Sequence, residues 1–152
     1  MKIVDSGYKL DLHIHSYYSH GKDGAKVAFN TIDNISVLVQ KLNENGVQIC
    51  AITDHDAFNY DIYHSLKSYE QDKECSIIKV FPGIEFSVEF EGDSAPTVVH
   101  VIAIFDDSDD VKIKNISNVL NDASGKPKYD RGMAYSEEIF LSILRDIKID
   151  TI

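Results

Sequence analysis

The hydrophobic period of this chain switches repeatedly between two values, and that constrains its fold more than any other feature. Val47 to Thr53 is a near-continuous apolar run, as expected of a strand buried on both faces of a parallel sheet. Before it, Ile35, Leu38, Val39 and Leu42 fall at i, i+3, i+4 and i+7, one face of a helix. Thr31 or Asn34 is placed to cap that helix, and Gly46 suits its C′ position. Lys9 to His15 alternates strictly and reads as a strand. Tyr60, Tyr63, Leu66 and Tyr69 suggest a second helix. Ile77 to Phe81 reads as a strand stopped by Pro82-Gly83, with Glu85 to Phe90 extended again and Glu91 to Ser94 a turn. Thr97 to Phe105 is strongly β-prone. Val111, Ile113, Ile116, Val119 and Leu120 suit a helix, and Ala123 to Met133 a polar connection. Ser136 caps a last helix, with Glu137 and Glu138 in its first turn and Ile139, Phe140, Ile143, Leu144 and Ile147 on its apolar face. Ile149 to Ile152 looks like the opening of another strand.

Strand–helix alternation argues for an α/β fold with a mainly parallel sheet and flanking helices. Four or five strands are too few to close a barrel, so the chain reads as the front portion of a longer one. Its 152 residues fit one domain, 1–152. The longest apolar runs, such as Val101 to Phe105, are far too short to span a bilayer. Met1 to Lys9 has no secretory pattern. A cytoplasmic protein with no membrane partner is the default expectation. Net charge is −10, and arginine occurs only at Arg131 and Arg145, which disfavours a nucleic-acid groove built from side-chain cations. An anionic substrate would then need another positive element, and a bound metal is the natural one. Cys50 and Cys75 make no disulfide framework and read as reduced, mostly buried thiols.

Six histidines carry the chemical signal: His13, His15, His20, His55, His64 and His100. His13 and His15 lie two apart on one strand, so both imidazoles point to the same face. Shared metal ligation explains such a pair; an exposed polar face of an edge strand is the alternative. His55 follows the most buried strand, and Glu85 follows Pro82-Gly83-Ile84. Both stand where parallel strands end and α/β proteins place their sites. His100 interrupts an apolar run, where a lone histidine is more often a satisfied core residue. His64 reads as a solvated helix residue. Tyr17 and Tyr18 either line a pocket or pack. Asp106, Asp107, Asp109 and Asp110 lack EF-hand spacing and read as an acidic turn. Lys22, Lys26 and Arg131 are candidates to hold phosphate.

Together these segments resemble the polymerase and histidinol phosphatase (PHP) superfamily. Asp11-Leu12-His13-Ile14-His15-Ser16, with Ser19-His20-Gly21 close behind, looks like its first motif. Ile52-Thr53-Asp54-His55 looks like the second, and Pro82-Gly83-Ile84-Glu85 resembles the segment with a bridging glutamate. Val99-His100-Val101 is similar to the third. The motifs lie within 9–105, leaving 106–152 as a helical and loop extension. The resemblance implies a distorted, TIM-like (β/α)7 barrel, here partial and apparently lacking its C-terminal strands. It also implies a metal cluster, usually trinuclear, at the strand ends. By that resemblance His13, His15 and Glu85 hold one ion, Glu85 and His100 help hold a second, and His20 and His55 a third. Asp11 and Asp54 would orient imidazoles. His20 replaces an aspartate found in many relatives, and imidazole suits Zn or Fe better than Mg. Divalent Zn, Mn or Fe, two or three ions per complete site, is therefore expected. The family's later His and Asp ligands have no counterpart, since no histidine follows His100 and Asp130, Asp146 and Asp150 lie in the wrong pattern.

The implied activity is a metal-dependent phosphoesterase that hydrolyses a phosphomonoester or phosphodiester through a metal-activated hydroxide. Catalytic roles would fall to Glu85, His20 and His55. A general base alone gives about 10²–10⁴-fold, roughly 3–5 kcal/mol. Bringing bound water from its ordinary pKa to about 7 is worth roughly 12 kcal/mol in acidity, so metals dominate. The expected partners are a phosphorylated small molecule or a nucleotide or oligonucleotide end, with a homodimer or a fused downstream domain as further expectations. The competing reading is an incomplete or degenerate module that serves a larger nuclease, polymerase or ATPase-linked protein as a binding or structural part.

Overall fold

The computed structural model describes residues 7–19, 26–27, 29–92, 95–129 and 133–152. Strand β1 (Leu10–Ile14) leads, through a short 3-10 turn at Ile32–Asn34, into helix α1 (Ile35–Glu44). Strand β2 (Ile49–Ile52), helix α2 (Tyr60–Lys67) and a 3-10 turn at Ser68–Gln71 follow. Strand β3 (Lys79–Phe90) turns back into β4 (Thr97–Ile104). Helix α3 (Asp110–Leu120), a two-residue β5 (Tyr135–Ser136) and helix α4 (Glu137–Ile147) complete the order.

Among the described residues these strands make one five-stranded sheet in the order β1-β2-β3-β4, with β5 beside β3. The pairs β1–β2, β2–β3 and β3–β5 are parallel, while β3–β4 is an antiparallel hairpin. The fold is thus α/β, with mostly parallel strands and flanking helices, consistent with a partial TIM-like barrel. At the chain's end, Thr151 bridges Phe105 and the Ile152 N–H donates to Ile104 O at 2.9 Å, so the segment expected to open a strand lies along the end of β4.

Strand β3 departs from the sequence reading. Pro82-Gly83 does not stop it; the strand runs unbroken through both residues. Pro82 pairs with Ile52 at the end of β2, and its carbonyl accepts the Phe105 N–H at 2.9 Å. Its missing N–H thus falls just beyond Gly83↔Ile104, the last pair of the β3–β4 ladder, where proline costs least. Gly83 is needed for close approach. A Cβ there would stand 2.7 Å from Thr53 Cγ2 and 2.9 Å from Ile104 Cδ1. The alternation of β3 then sorts its side chains: Ile84, Phe86 and Val88 are fully buried, with Phe86 ring-to-ring at 5.3 Å from Phe140 of α4. Glu85 and Ser87 take the opposite face.

The helices follow the apolar periodicity. Val39 and Leu42 of α1, Ile62, Tyr63 and Leu66 of α2, and Phe140, Ile143 and Ile147 of α4 are buried. In α3, Ile113, Ile116, Val119 and Leu120 are buried, but Val111 faces solvent in the first turn. Asn59, Asp109 and Ser136 accept the capping N–H groups of α2, α3 and α4. Neither Thr31 nor Asn34 makes a side-chain cap; Asn34 Nδ2 donates to Phe29 O instead, at 3.0 Å. Gly46, with φ of 64°, closes α1: its N–H reaches Asn43 O and the Val47 N–H reaches Leu42 O, a Schellman arrangement. Burial pushes the Cys50 thiol up to about 12, an inert core group, while Cys75 is half-buried and hydrogen-bonds Asn43. No helix among the described residues is long and apolar enough to cross a membrane.

The acidic turn after β4 ties elements together. Asp107 Oδ2 receives Lys67 Nζ at 2.5 Å and Lys79 Nζ at 2.6 Å. Burial alone would raise the Asp107 carboxyl, but the two ammonium groups outweigh it and hold it below the ordinary carboxylate range. Burial would lower Lys67, yet Asp107 and Glu70 hold it above its usual value. Asp106, Asp109 and Asp110 are taken up by Ser108 N, Lys112 N and the Tyr60 hydroxyl.

Two outcomes are expected from urea titrations. Gly83→Ala destabilises the protein by about 1–3 kcal/mol, the usual cost of overpacking. Asp107→Asn costs about 1–2 kcal/mol at pH 7, at the low end because both lysines reach solvent. Because the folded-state pKa of Asp107 is depressed, that contribution is present above about pH 4 and is lost as pH falls through the folded value. The gap between wild type and Asp107→Asn therefore closes in acid.

Candidate metal centre

Four histidines and one glutamate meet beside the ends of β1 and β2; Glu85 itself lies midway along β3, not at a strand end as expected, because that strand continues through Pro82-Gly83. Glu85 sits on β3 just past the end of β2, its side chain 1% exposed. The chain after β2 continues the parallel pairing: the Glu85 N–H donates to Asp54 O at 3.1 Å, and the Asp56 N–H donates to Glu85 O at 2.9 Å. This bridge sets His55 directly beside Glu85. Asp56 takes a φ of 52°, a left-handed conformation that aspartate tolerates better than most residues. From β1, His13 Nε2 reaches Glu85 Oε2 at 3.0 Å, and His15 Nε2, just past the strand, reaches it at 3.3 Å. His55 Nε2 reaches the same oxygen at 3.3 Å. From β4, His100 Nδ1 lies 2.8 Å from Glu85 Oε1.

The imidazoles also touch one another in sequence. The His13–His15 ring centroids are 4.9 Å apart, His15–His55 5.1 Å and His55–His100 4.9 Å. His100 pairs across the hairpin with Ser87 and is 57% exposed at its side chain. It stands on an exposed antiparallel strand within reach of Glu85, not in the core.

This donor set fits a cation better than it fits hydrogen bonding. One carboxylate oxygen offers about two lone-pair directions, yet three imidazole nitrogens converge on Oε2. Only His13 meets it in hydrogen-bond geometry, so the convergence exceeds what one oxygen accepts well, whereas a positive ion among the nitrogens would use all of them. Among the described residues Glu85 Oε1 is buried with no hydrogen-bond partner, His100 being close but out of line. Ligands at 2.0–2.2 Å around a tetrahedral ion stand about 3.3–3.6 Å apart, and the N···O separations of 3.0–3.3 Å lie at or just below the short end of that range. Two groups of three donors result: His13, His15 and Glu85, and His55, Glu85 and His100. Glu85 belongs to both. His20, read from the sequence as a further ligand, lies outside the described residues, as do Lys22, Arg131 and Asp130.

Asp54 and Asp11 act on the backbone that carries the imidazoles. Asp54 Oδ1 accepts the Ser16 N–H at 2.5 Å and Oδ2 accepts the Ser16 hydroxyl at 2.6 Å. That pins the chain just after His15, with Ser16 fully buried. Asp11 Oδ1 receives the His13 N–H at 3.4 Å. Ser19 and Asn30 join them, and sequence reasoning gave neither a role. Ser19 Oγ accepts the His55 N–H at 2.9 Å and stands 3.4 Å from His15 Nδ1. Asn30 Nδ2 donates to His15 O at 2.5 Å. The one available signal was Ser19's place in the first motif; nothing local marks Asn30. Lys26 is exposed. His64 is exposed on α2, stacked 5.5 Å from Tyr60 and apart from the cluster.

A family model for the PHP domain matches residues 11–148. No individual curated protein matches the chain. From the geometry, Zn²⁺ is expected to raise the melting temperature and to bind at more than one equivalent by elemental analysis. Glu85→Gln removes the donor common to both groups and should abolish the stabilisation. His64→Ala should leave it intact.

Proposed function

Because the chain belongs to the PHP domain family, whose members are generally metal-dependent hydrolases, we propose that it hydrolyses a phosphomonoester or phosphodiester using divalent ions held around Glu85. The observation that carries this reading is the buried carboxylate common to two three-donor groups. Three protein donors per ion leave a coordination position for substrate or water, the pattern of catalytic rather than structural zinc. The imidazole-rich set favours Zn or Fe over Mg, and the carboxylate common to both groups also suits Mn. When bound, such ions supply Lewis acidity toward phosphoryl oxygens and acidify water.

The protein's own groups do the positioning. Glu85 fixes two donor groups at a common carboxylate. Asp54 and Ser16 hold the turn that keeps His15 in place, and Ser19 links His15 to the backbone of His55. His13 and His100 form the open side of the cluster, with half or more of each side chain exposed, and substrate enters there. A net charge of −10 opposes an anionic ester at long range, so affinity for it must come from the centre itself.

Hydrolysis of p-nitrophenyl phosphate with Zn²⁺ or Mn²⁺ tests the reading. EDTA and Glu85→Gln should each lower the rate by at least about 100-fold, since several kcal/mol of transition-state stabilisation leave with the ions. Activity that survives both would overturn it. Zero or one bound ion per chain, with no hydrolysis, would favour the degenerate binding module instead.

A further inference from the structure

Four aromatic side chains among the described residues are markedly exposed, and three of them, Tyr17, Tyr18 and Phe29, lie on the backbone that holds His15. Tyr17 and Tyr18 are 42% and 45% exposed and Phe29 is 87% exposed. Tyrosines in ordinary packing look different here: Tyr63 and Tyr135 are each 3% exposed. Exposed aromatic surface gathered at one place marks a contact surface rather than a core.

The rim is rigidly seated. The Tyr18 N–H donates to Ser16 Oγ at 3.1 Å, and that hydroxyl is bound to Asp54. The Tyr17 N–H donates to Asn30 O at 3.2 Å, while Asn30 Nδ2 holds His15 O. Phe29 adjoins Asn30, and its carbonyl receives Asn34 Nδ2. Both feet of the Tyr17-Tyr18 turn therefore rest on residues of the metal centre, Ser16 on one side and Ser19 on the other. Consecutive Cα atoms are about 3.8 Å apart, so the tyrosines begin one residue from groups that touch His15 and His55. Their ring centroids are 5.1 Å apart with planes at 77°. This makes a corner: a flat ring laid on one tyrosine presents its edge to the other, the arrangement aromatic quadrupoles favour.

We propose that Tyr17, Tyr18 and Phe29 receive the organic part of the substrate, so that the site selects phosphate esters carrying a flat aromatic or nucleobase-like group. This rests on the phosphoesterase reading above and assigns the specificity of that site. The ions hold the phosphoryl end, and stacking holds the other end without requiring cations that the protein does not spare. Every nucleobase and aryl group has a π-face, so the rim reads planarity rather than a hydrogen-bond pattern.

Calorimetric titration of the zinc-loaded full chain with phenylphosphonate and cyclohexylphosphonate tests this apart from turnover. Neither C–P bond is an ester; the two ligands differ in flatness and, because phenyl withdraws electrons, in phosphonate acidity, so the titration is run at a pH where both are dianions. Phenylphosphonate should bind at least about fivefold more tightly, the lower end of what stacking provides. Tyr17→Ala/Tyr18→Ala should bring the ratio to about one, and Tyr17→Phe/Tyr18→Phe should keep it. Equal affinities in the wild type, or a preference that persists in the alanine variant with unaltered melting, would overturn the proposal. If neither phosphonate binds the zinc-loaded protein, the metal-centre reading fails and this one falls with it.

Discussion

The rest of the structure is organised around one buried carboxylate. Glu85 is fully enclosed on a strand whose neighbours are Ile84 and Phe86, and an ion withdrawn from water costs several kcal/mol unless charge and hydrogen bonds compensate. Four imidazoles arrive against it on separate stretches of chain, the β1 end, the loop after β2, and β4, a donor set that would compensate the carboxylate with a cation held among them. None could be brought in by local structure alone. The unbroken β3 sets Glu85 level with the end of β2, Gly83 lets Thr53 and Ile104 close in around it, and Asp56 turns the backbone sharply beyond His55. Each of these features is locally unfavourable, and all of them surround the same carboxylate. Local rules broken at one place are what a functional site produces.

Much of the fold is written in the hydrophobic period. The helices at Ile35–Glu44, Asp110–Leu120 and Glu137–Ile147 lie where apolar residues recur every three to four positions, and β2 where the apolar run is continuous. Tertiary context decided the rest. Pro82-Gly83 carries the local signature of a stop, yet the proline sits at a ladder end and the glycine is required by contact. Strand β5, two residues long, exists only because β3 extends past the end of β2 and leaves an edge to pair with. Thr31 and Asn34 have the right chemistry for caps, but a 3-10 turn precedes the helix and redirects Asn34 to Phe29.

The same division holds at the candidate centre. His13, His15, His55, Glu85 and His100 stand out in sequence because imidazoles and carboxylates at strand ends are rare and their order is specific. The supporting groups are common polar residues, Ser16, Ser19 and Asn30, whose significance appears only when the loop is closed over His15. His100 read alone as a core residue because its neighbours in sequence are apolar. That inference treated β4 as buried on both faces, whereas an antiparallel edge leaves one side open to solvent.

Strand β3 pairs with β2, β4 and β5 and carries Glu85 midway along its length. The strand as a whole can therefore leave the sheet only when three partners separate. Backbone hydrogen exchange at residues 83–88 should consequently follow whole-molecule opening rather than local breathing, and the carboxylate cannot be unmasked by a small excursion. The charge at its centre therefore stays fixed relative to the turn that presents the tyrosines.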